Sequence, residues 1–475
     1  MALKSKIDPL SKDEINTIHD ASIELLETCG VTFKSEEALA VFRDRGARVD
    51  GQRVYIPQKM AENAMMRCPS KFWFRARNPE YDLRIGQGFA VQPNTGPTDI
   101  QCQDHGRRPA ALLDYINLQK MYQASDVANI VGGLPVVPQD IDLQDMHLRL
   151  MYETVKNTDK PVISYCGDGQ QAEQVLEMVD IAFGRTNILQ SSHVVGVSVN
   201  PLSPMAYGPE AIETMMAYAR HNQPVFILPC ILAGISGPVN LVGTVVQQNA
   251  EIIAGTTLIQ LVNPENPVVY SPSSTVGDLN KGQYITGSPE PFLINSANLQ
   301  LANDLYKVPT RIMCGMTDSD EIDCQAGYET EQNLMMGMLT GANILSNCLG
   351  TLDALMVTSY EKFMIDEELF KRFHRITDGL EVTQEALSLD IIRDVTSGSS
   401  SFLTHESTFR YCRNYWRPSV SFRGRHKNVL KGIGSEDLVG IANKKYKQLL
   451  KACPESMIDP ALDAELQSFM QKSLD

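Results

Sequence analysis

The chain lacks a basic excess. Its 475 residues carry 42 Lys and Arg against 57 Asp and Glu, a formal charge of −15. Without a broad positive face it has no means of holding phosphate, so nucleic acid is excluded as a partner. No apolar stretch approaches the ~20 residues that cross a bilayer, and no membrane partner is expected. The charged-then-apolar pattern of an export signal is missing as well. The ten cysteines are dispersed with no CxxC pair, which in a chain this large reads as reduced thiols in a cytoplasmic protein. There is no GxGxxG opening a helix, no P-loop, no HExxH and no GxSxG elbow. The chemistry must therefore be read from the ends of secondary-structure elements.

What is present is a repeat of short apolar runs, each closed at or near a turn-forming residue. There are eight: 89–96, 129–138, 161–167, 193–201, 224–230, 267–274, 311–317 and 342–350. Several are near-continuous rather than alternating, as parallel strands covered on both faces are. Segments of mostly helix length separate them. Eight strands alternating with helices predict a (β/α)8 TIM barrel; a doubly wound open sheet is the alternative, disfavoured by the missing phosphate fingerprint. A bare barrel needs only ~250 residues. We therefore expect a barrel over 89–353, an N-terminal extension over 1–88, and an α-rich C-terminal extension over 354–475. The N-terminal extension opens with a capping box, Ser11 to Glu14, followed by an apolar stripe at Ile15, Ile18, Ala21, Leu25 and Cys29.

Such barrels do their chemistry in the loops after the strand C-termini. Cys166, Cys230, Cys314 and Cys348 fall in or beside strand ends, but without the close ligand spacing of a zinc site, so small buried hydrophobes are the simpler reading. No metal is expected. Polar residues cluster at the same ends: Gln92, Asn94, Tyr165, Asn200, Ser271, Ser273, Thr317, Asp318, Asn347 and Asp353. Together they describe a polar mouth that is not strongly basic. Late aromatics, among them Phe409, Tyr411 and Trp416, form a candidate roof, and with Tyr165 and Tyr360 a candidate cage for a quaternary ammonium. The expected substrate-binding set is Asn94, Tyr165, Asn200, Asp318, Tyr360, Phe409, Tyr411 and Trp416. No catalytic side chain stands out.

Six segments carry a family resemblance. They are Ala76-Arg-Asn-Pro-Glu-Tyr-Asp-Leu, Gly96-Pro-Thr-Asp, Gly315-Met-Thr-Asp-Ser-Asp, Asp323-Cys-Gln-Ala-Gly-Tyr-Glu, Ser359-Tyr-Glu-Lys-Phe-Met-Ile-Asp-Glu-Glu, and His405-Glu-Ser-Thr-Phe-Arg with Pro418. Over nearly its whole length the chain resembles the trimethylamine methyltransferase superfamily, in its members that lack pyrrolysine. The resemblance implies a (β/α)8 barrel that moves a methyl group from an amine to the cobalt of a separate corrinoid protein. Founding members use pyrrolysine on trimethylamine near the segment resembling Thr317–Glu329; here that segment holds only standard residues.

The departure shifts the expected donor. Co(I) attacks a methyl carbon directly, and a quaternary ammonium departs as a neutral tertiary amine without an acid. Glycine betaine, proline betaine or carnitine therefore suit a site with no special residue, with proximity and orientation supplying much of the rate. The expected partner is a corrinoid protein that supplies the cobalamin, with no cofactor bound tightly by the chain itself. That protein would dock transiently on the loop face, near Arg107, Arg108 or Lys281, while residues 405–423 close as a lid. A homo-oligomer is expected. A zinc-dependent corrinoid methyltransferase and a non-catalytic betaine-binding barrel are the alternatives.

Overall fold

Each of the eight apolar runs contains a strand. A computed structural model describes residues 6–93, 96–185, 187–398, 401–421 and 437–474. The strands are β1 (Ala90–Gln92), β2 (Val131–Gly132), β3 (Val162–Ser164), β4 (Val195–Val199), β5 (Val225–Ile227), β6 (Val268–Tyr270), β7 (Arg311–Met313) and β8 (Ile344–Ser346). They form two parallel sheets, five strands in the order β6-β5-β4-β3-β2 and three in the order β7-β8-β1. β1, β2, β5, β6 and β8 are buried at every residue, which is why their sequences run apolar instead of alternating. Backbone bonds join the sheets at both edges. The amides of Asn129 and Ile130 donate to the Val91 carbonyl at 2.9 and 3.0 Å, and Tyr270 N donates to the Pro309 carbonyl at 2.8 Å.

Eight helices accompany the strands: α1 (Leu112–Ala124), α2 (Met146–Asn157), α3 (Gly169–Ala182), α4 (Pro209–Arg220), α5 (Leu241–Val262), α6 (Glu290–Gln300), α7 (Cys324–Leu339) and α8 (Tyr360–Thr377). α5 is apolar around most of its circumference because it is covered on its outer side too. The cover is the helix Lys12–Thr28, which starts with the reciprocal Ser11–Glu14 capping box. Its buried face is Ile15, Ile18, Ser22, Ile23 and Leu26. This corrects the expected stripe: Ala21 and Leu25 are only half-buried and Cys29 is exposed. The helical period carries the buried face through Ser22, whose hydroxyl accepts from Asn249 Nδ2 of α5 at 2.9 Å. Strand Val31–Phe33 also pairs in parallel with Ala206–Tyr207 from the loop after β4. Residues before β1 are thus stitched into the same body.

Two buried cations brace the framework. Lys160 Nζ donates to the carbonyls of Tyr122, Ser125 and Ala128 at 2.9, 2.7 and 2.7 Å, closing the C-terminal end of α1; burial pushes its pKa down to about 8. Lys362 Nζ donates to both carboxylate oxygens of Asp366 at 2.8 Å and to Thr330 Oγ1 at 2.9 Å. Asp366 also accepts from Gly350 N at 2.7 Å. One carboxylate therefore ties α8 to the turn after β8, and its lysine ties α8 to α7. Among the described residues no helix is long and apolar enough to cross a membrane.

Removing one member of the Lys362–Asp366 pair leaves a charge buried alone. Lys362→Met should cost roughly 3–5 kcal/mol in urea unfolding, and the double change Lys362→Met, Asp366→Leu should recover most of that loss. A single variant within about 0.5 kcal/mol of wild type would show that the pair is solvated.

Candidate active site

A cavity of about 400 Å³ opens beyond the C-terminal ends of β3, β4 and β5. Tyr165 and Cys166, just past β3, line it together with Asn200, just past β4, and Cys230, beyond β5. Asn200 Nδ2 donates to the Leu228 carbonyl at 2.8 Å and to Cys230 Sγ at 3.4 Å, clipping two strand ends together. The exposed carboxylate of Glu210, in the first turn of α4, stands at the wall as well. Burial pushes the Cys166 thiol up to about 12 and the Cys230 thiol up to about 11. Both are neutral thiols at physiological pH, poor nucleophiles and poor metal ligands. Among the described residues, no group of three or more His, Cys, Asp or Glu side chains forms a metal site.

The deciding residue enters the cavity from β7. Arg311 is only 1% exposed. Its Nε donates to Gln92 Oε1 of β1 at 3.1 Å, and one terminal nitrogen donates to Asn347 Oδ1 beyond β8 at 3.2 Å. The other terminal nitrogen is buried with no hydrogen-bond partner. Neutral amides hold this guanidinium, and no carboxylate forms an ion pair with it among the described residues. Desolvation lowers its pKa to about 10, which still leaves it cationic at neutral pH. A buried, uncompensated cation is costly, and such groups are found paired or ligand-bound. Arg311 is therefore the residue of this cavity whose chemistry suits an anionic group.

The structure sorts the residues expected from sequence. Tyr165 and Asn200 line the cavity. Asn94 lies outside the described residues, two positions before Gly96, which lines the wall. Asp318 faces elsewhere: its carboxylate accepts from Thr286 N at 2.7 Å, Thr286 Oγ1 at 2.9 Å and Gly287 N at 2.9 Å, pinning the loop that enters α6. Tyr360 is buried between helices, its hydroxyl donating to Asp114 at 2.8 Å and its ring stacked on Tyr446. Phe409 is 77% exposed, and Tyr411 is exposed with its hydroxyl on Glu385. Trp416 sits under the Arg372 guanidinium at 5.0 Å. Of the aromatic set only Tyr165 reaches the cavity. Arg311 was hidden from sequence reading, although an arginine opening the apolar run Arg311–Met316 was the available signal.

The chain matches the family described as Trimethylamine methyltransferase (MTTB) over residues 2–474. It belongs to the trimethylamine methyltransferase family. Among members, it is similar to the glycine betaine methyltransferase of Desulfitobacterium hafniense (strain Y51), 34% identical over 470 residues, covering 98% of this chain and 97% of that protein. It is 30% identical over 454 residues to the proline betaine:corrinoid methyltransferase of Eubacterium limosum, 92% of each chain being covered. The crystal structure of the Methanosarcina barkeri monomethylamine methyltransferase shares the fold, with a TM-score of 0.52 at 12% identity, covering 94% of this chain and 90% of that one.

If Arg311 serves a ligand, removing it should cost function and not stability. Arg311→Met deletes a buried unpaired charge, so unfolding free energy should stay level or rise by about 1–4 kcal/mol while anion binding in the cavity is lost. A marked fall in stability would mean that Arg311 is a structural brace.

Proposed function

We propose that this trimethylamine methyltransferase family member moves a methyl group from a carboxylate-bearing quaternary amine, of the glycine betaine, proline betaine or carnitine type, to the Co(I) of a corrinoid protein. The observation that carries the reading is Arg311, a buried cation among the residues that line the cavity, with one terminal nitrogen that has no hydrogen-bond partner. The names of the two relatives, both betaine methyltransferases, support it. We further read the eight parallel strands as a closed (β/α)8 barrel over 89–353, with extensions over 1–88 and 354–475. The backbone bonds at both sheet edges and the likeness in fold to the monomethylamine enzyme support that reading. A cytoplasmic setting fits the reduced thiols.

A zwitterion fits the charge layout of the site. Its carboxylate goes to Arg311, held in plane by Gln92 and Asn347, and its trimethylammonium end points outward toward Tyr165 and Glu210. The methyl carbons then face the opening. The electron pair of Co(I) forms the new Co–C bond, and the C–N pair stays on nitrogen, which leaves as a neutral tertiary amine. No proton moves, so the neutral thiols of Cys166 and Cys230 are bystanders. A tight aromatic cage would stabilise a positive charge that disappears in the transition state. A single tyrosine with an exposed carboxylate holds the cation loosely enough to avoid that cost.

The acceptor arrives on a carrier protein, because this chain supplies no cobalt of its own in the scheme. Arg107 is already paired with Asp99 at 2.6 Å and Asp353 at 2.7 Å, and Arg108 with Asp114 at 2.7 and 2.8 Å. Neither is a free charge for a partner, which leaves docking to shape, with Lys281 as the remaining local cation.

The test is a donor panel with cob(I)alamin or its carrier protein. Glycine betaine, proline betaine and carnitine should exceed choline and tetramethylammonium in kcat/KM by roughly 100-fold or more, the effect of losing a buried charged hydrogen bond. Arg311→Met should bring the carboxylate donors down to the choline level. Equal rates with choline would sink the proposal.

The pH profile is a second check. With the thiols near 11 and 12 and Arg311 near 10, none of these three groups titrates between about pH 6 and about pH 9, and kcat/KM should be flat there. A bell or sigmoid centred near neutrality would reveal a general acid or base that this scheme omits.

A further inference from the structure

Part of the cavity wall comes from across the mouth. Leu355 lines the cavity, yet it follows β8, a strand of the three-stranded sheet. Tyr165, Asn200 and Cys230 follow strands of the five-stranded sheet. Leu355 sits on a mount of its own. Thr351–Leu352 and Val357–Ser359 form a hairpin after β8. The second of these strands pairs in parallel with Asp99–Cys102, which pairs antiparallel with Gly106–Pro109 after β1. Four short strands thus carry the loop 353–356. Within it Met356 is 47% exposed, while Leu355 is half-buried against the cavity.

The loop is strained. Asp353, Ala354 and Leu355 all hold positive φ, at 48°, 46° and 78°. There the Cβ crowds the following carbonyl oxygen, and glycine alone escapes the clash. Three such residues in succession, ending on a leucine, persist only where the surroundings overrule them. Here they do. Asp353 N donates to the Ser319 carbonyl at 2.8 Å and Ala354 N to the Thr317 carbonyl at 2.9 Å, fastening the loop to the segment after β7. Arg107 spans Asp353 at 2.7 Å and Asp99 at 2.6 Å, fastening it to the hairpin after β1. Glycine at these positions would make the same turn without strain. The conformation that is kept places a leucine side chain at the cavity.

We propose that Leu355 sets the size of the ammonium head that the site accepts, with Arg107 as the positioning residue that holds its loop. The proposal rests on the reading of the donor as a carboxylate-bearing quaternary amine. Arg311 lies within β7 and Leu355 in a loop beyond β8. A betaine with its carboxylate on Arg311 therefore turns its ammonium end toward the level of Leu355. The methyl groups on that nitrogen present an apolar surface over a diffuse charge. A leucine packs against them by dispersion and fixes their direction. Being neutral, it adds no stabilisation to a charge that disappears as the methyl group leaves. A loop tied down at Ser319, Thr317 and Arg107 does not retreat from a larger head, so each added methylene meets a fixed wall.

Titration calorimetry with two betaines tests it on the full-length chain. The probes are glycine betaine and N,N-diethyl-N-methylglycine betaine, which keeps the carboxylate and the charge and adds a methylene to each of two N-substituents. Wild type should bind glycine betaine at least about tenfold more tightly. Leu355→Ala should bring the two within about twofold, chiefly by admitting the larger one, and Leu355→Phe should weaken glycine betaine itself by about tenfold. Arg107→Ala changes no side chain that lines the cavity, yet it should lower the ratio several-fold; a merely structural loss would leave the ratio in place. The readout needs no turnover, so the two readings fail separately. Glycine betaine bound no more tightly than tetramethylammonium would refute the role of Arg311. A wild type that binds both betaines alike, or an unchanged ratio in Leu355→Ala, would overturn the role of Leu355.

Discussion

The structure turns on one unsatisfied group. A guanidinium removed from water, hydrogen-bonded by two neutral amides and left with one nitrogen that has no hydrogen-bond partner, is expensive to keep. The surrounding fold supplies the means to keep it. Arg311 stands on β7, Gln92 on β1 beyond β8, and Asn347 just past β8, so two side chains carried by the neighbouring strands hold the fork. Gln92 is placed by strand register, and Asn347 by the turn that follows β8 directly. Together they fix the plane of the guanidinium before any ligand arrives, which lowers the ordering cost of binding.

The rest of the framework can be seen as insulation for that site. The Lys362–Asp366 pair and the three carbonyls on Lys160 lock α8 and α1 around the strands. The N-terminal helix seals the outer face of α5, and the strand pairing of Val31–Phe33 with Ala206–Tyr207 steadies the loop after β4, next to Asn200. The Cys166 thiol in the wall stays protonated because its sulfur is withdrawn from water. In a site that handles activated methyl groups, a thiolate would be an unwanted second acceptor.

Much of the architecture was legible because it rests on short-range patterns. Near-continuous apolar runs closed by turn residues located all eight strands, and the Ser11–Glu14 box located the first helix. Of the residues expected to bind substrate, Tyr165 and Asn200, which sit directly after strand ends, line the cavity. Asp318 and Tyr360 have the same sequence appearance, but their partners, Thr286 and Asp114, are distant in the chain, and pattern cannot reveal which polar residue is used up by the fold. The late aromatics looked like a roof because aromatic density is visible in sequence while the direction of a returning segment is not. Arg311 was missed for the opposite reason: a charge inside an apolar strand reads as an interruption until its burial and its missing counter-ion are known.

Substrate binding turns on a carboxylate meeting Arg311, and a crystal structure with bound glycine betaine tests that most directly. The carboxylate should lie within hydrogen-bonding distance of the Arg311 terminal nitrogen that now has no partner, with the trimethylammonium group toward Tyr165 and the opening. Glycine betaine bound with its carboxylate outward, or bound away from Arg311, would contradict it.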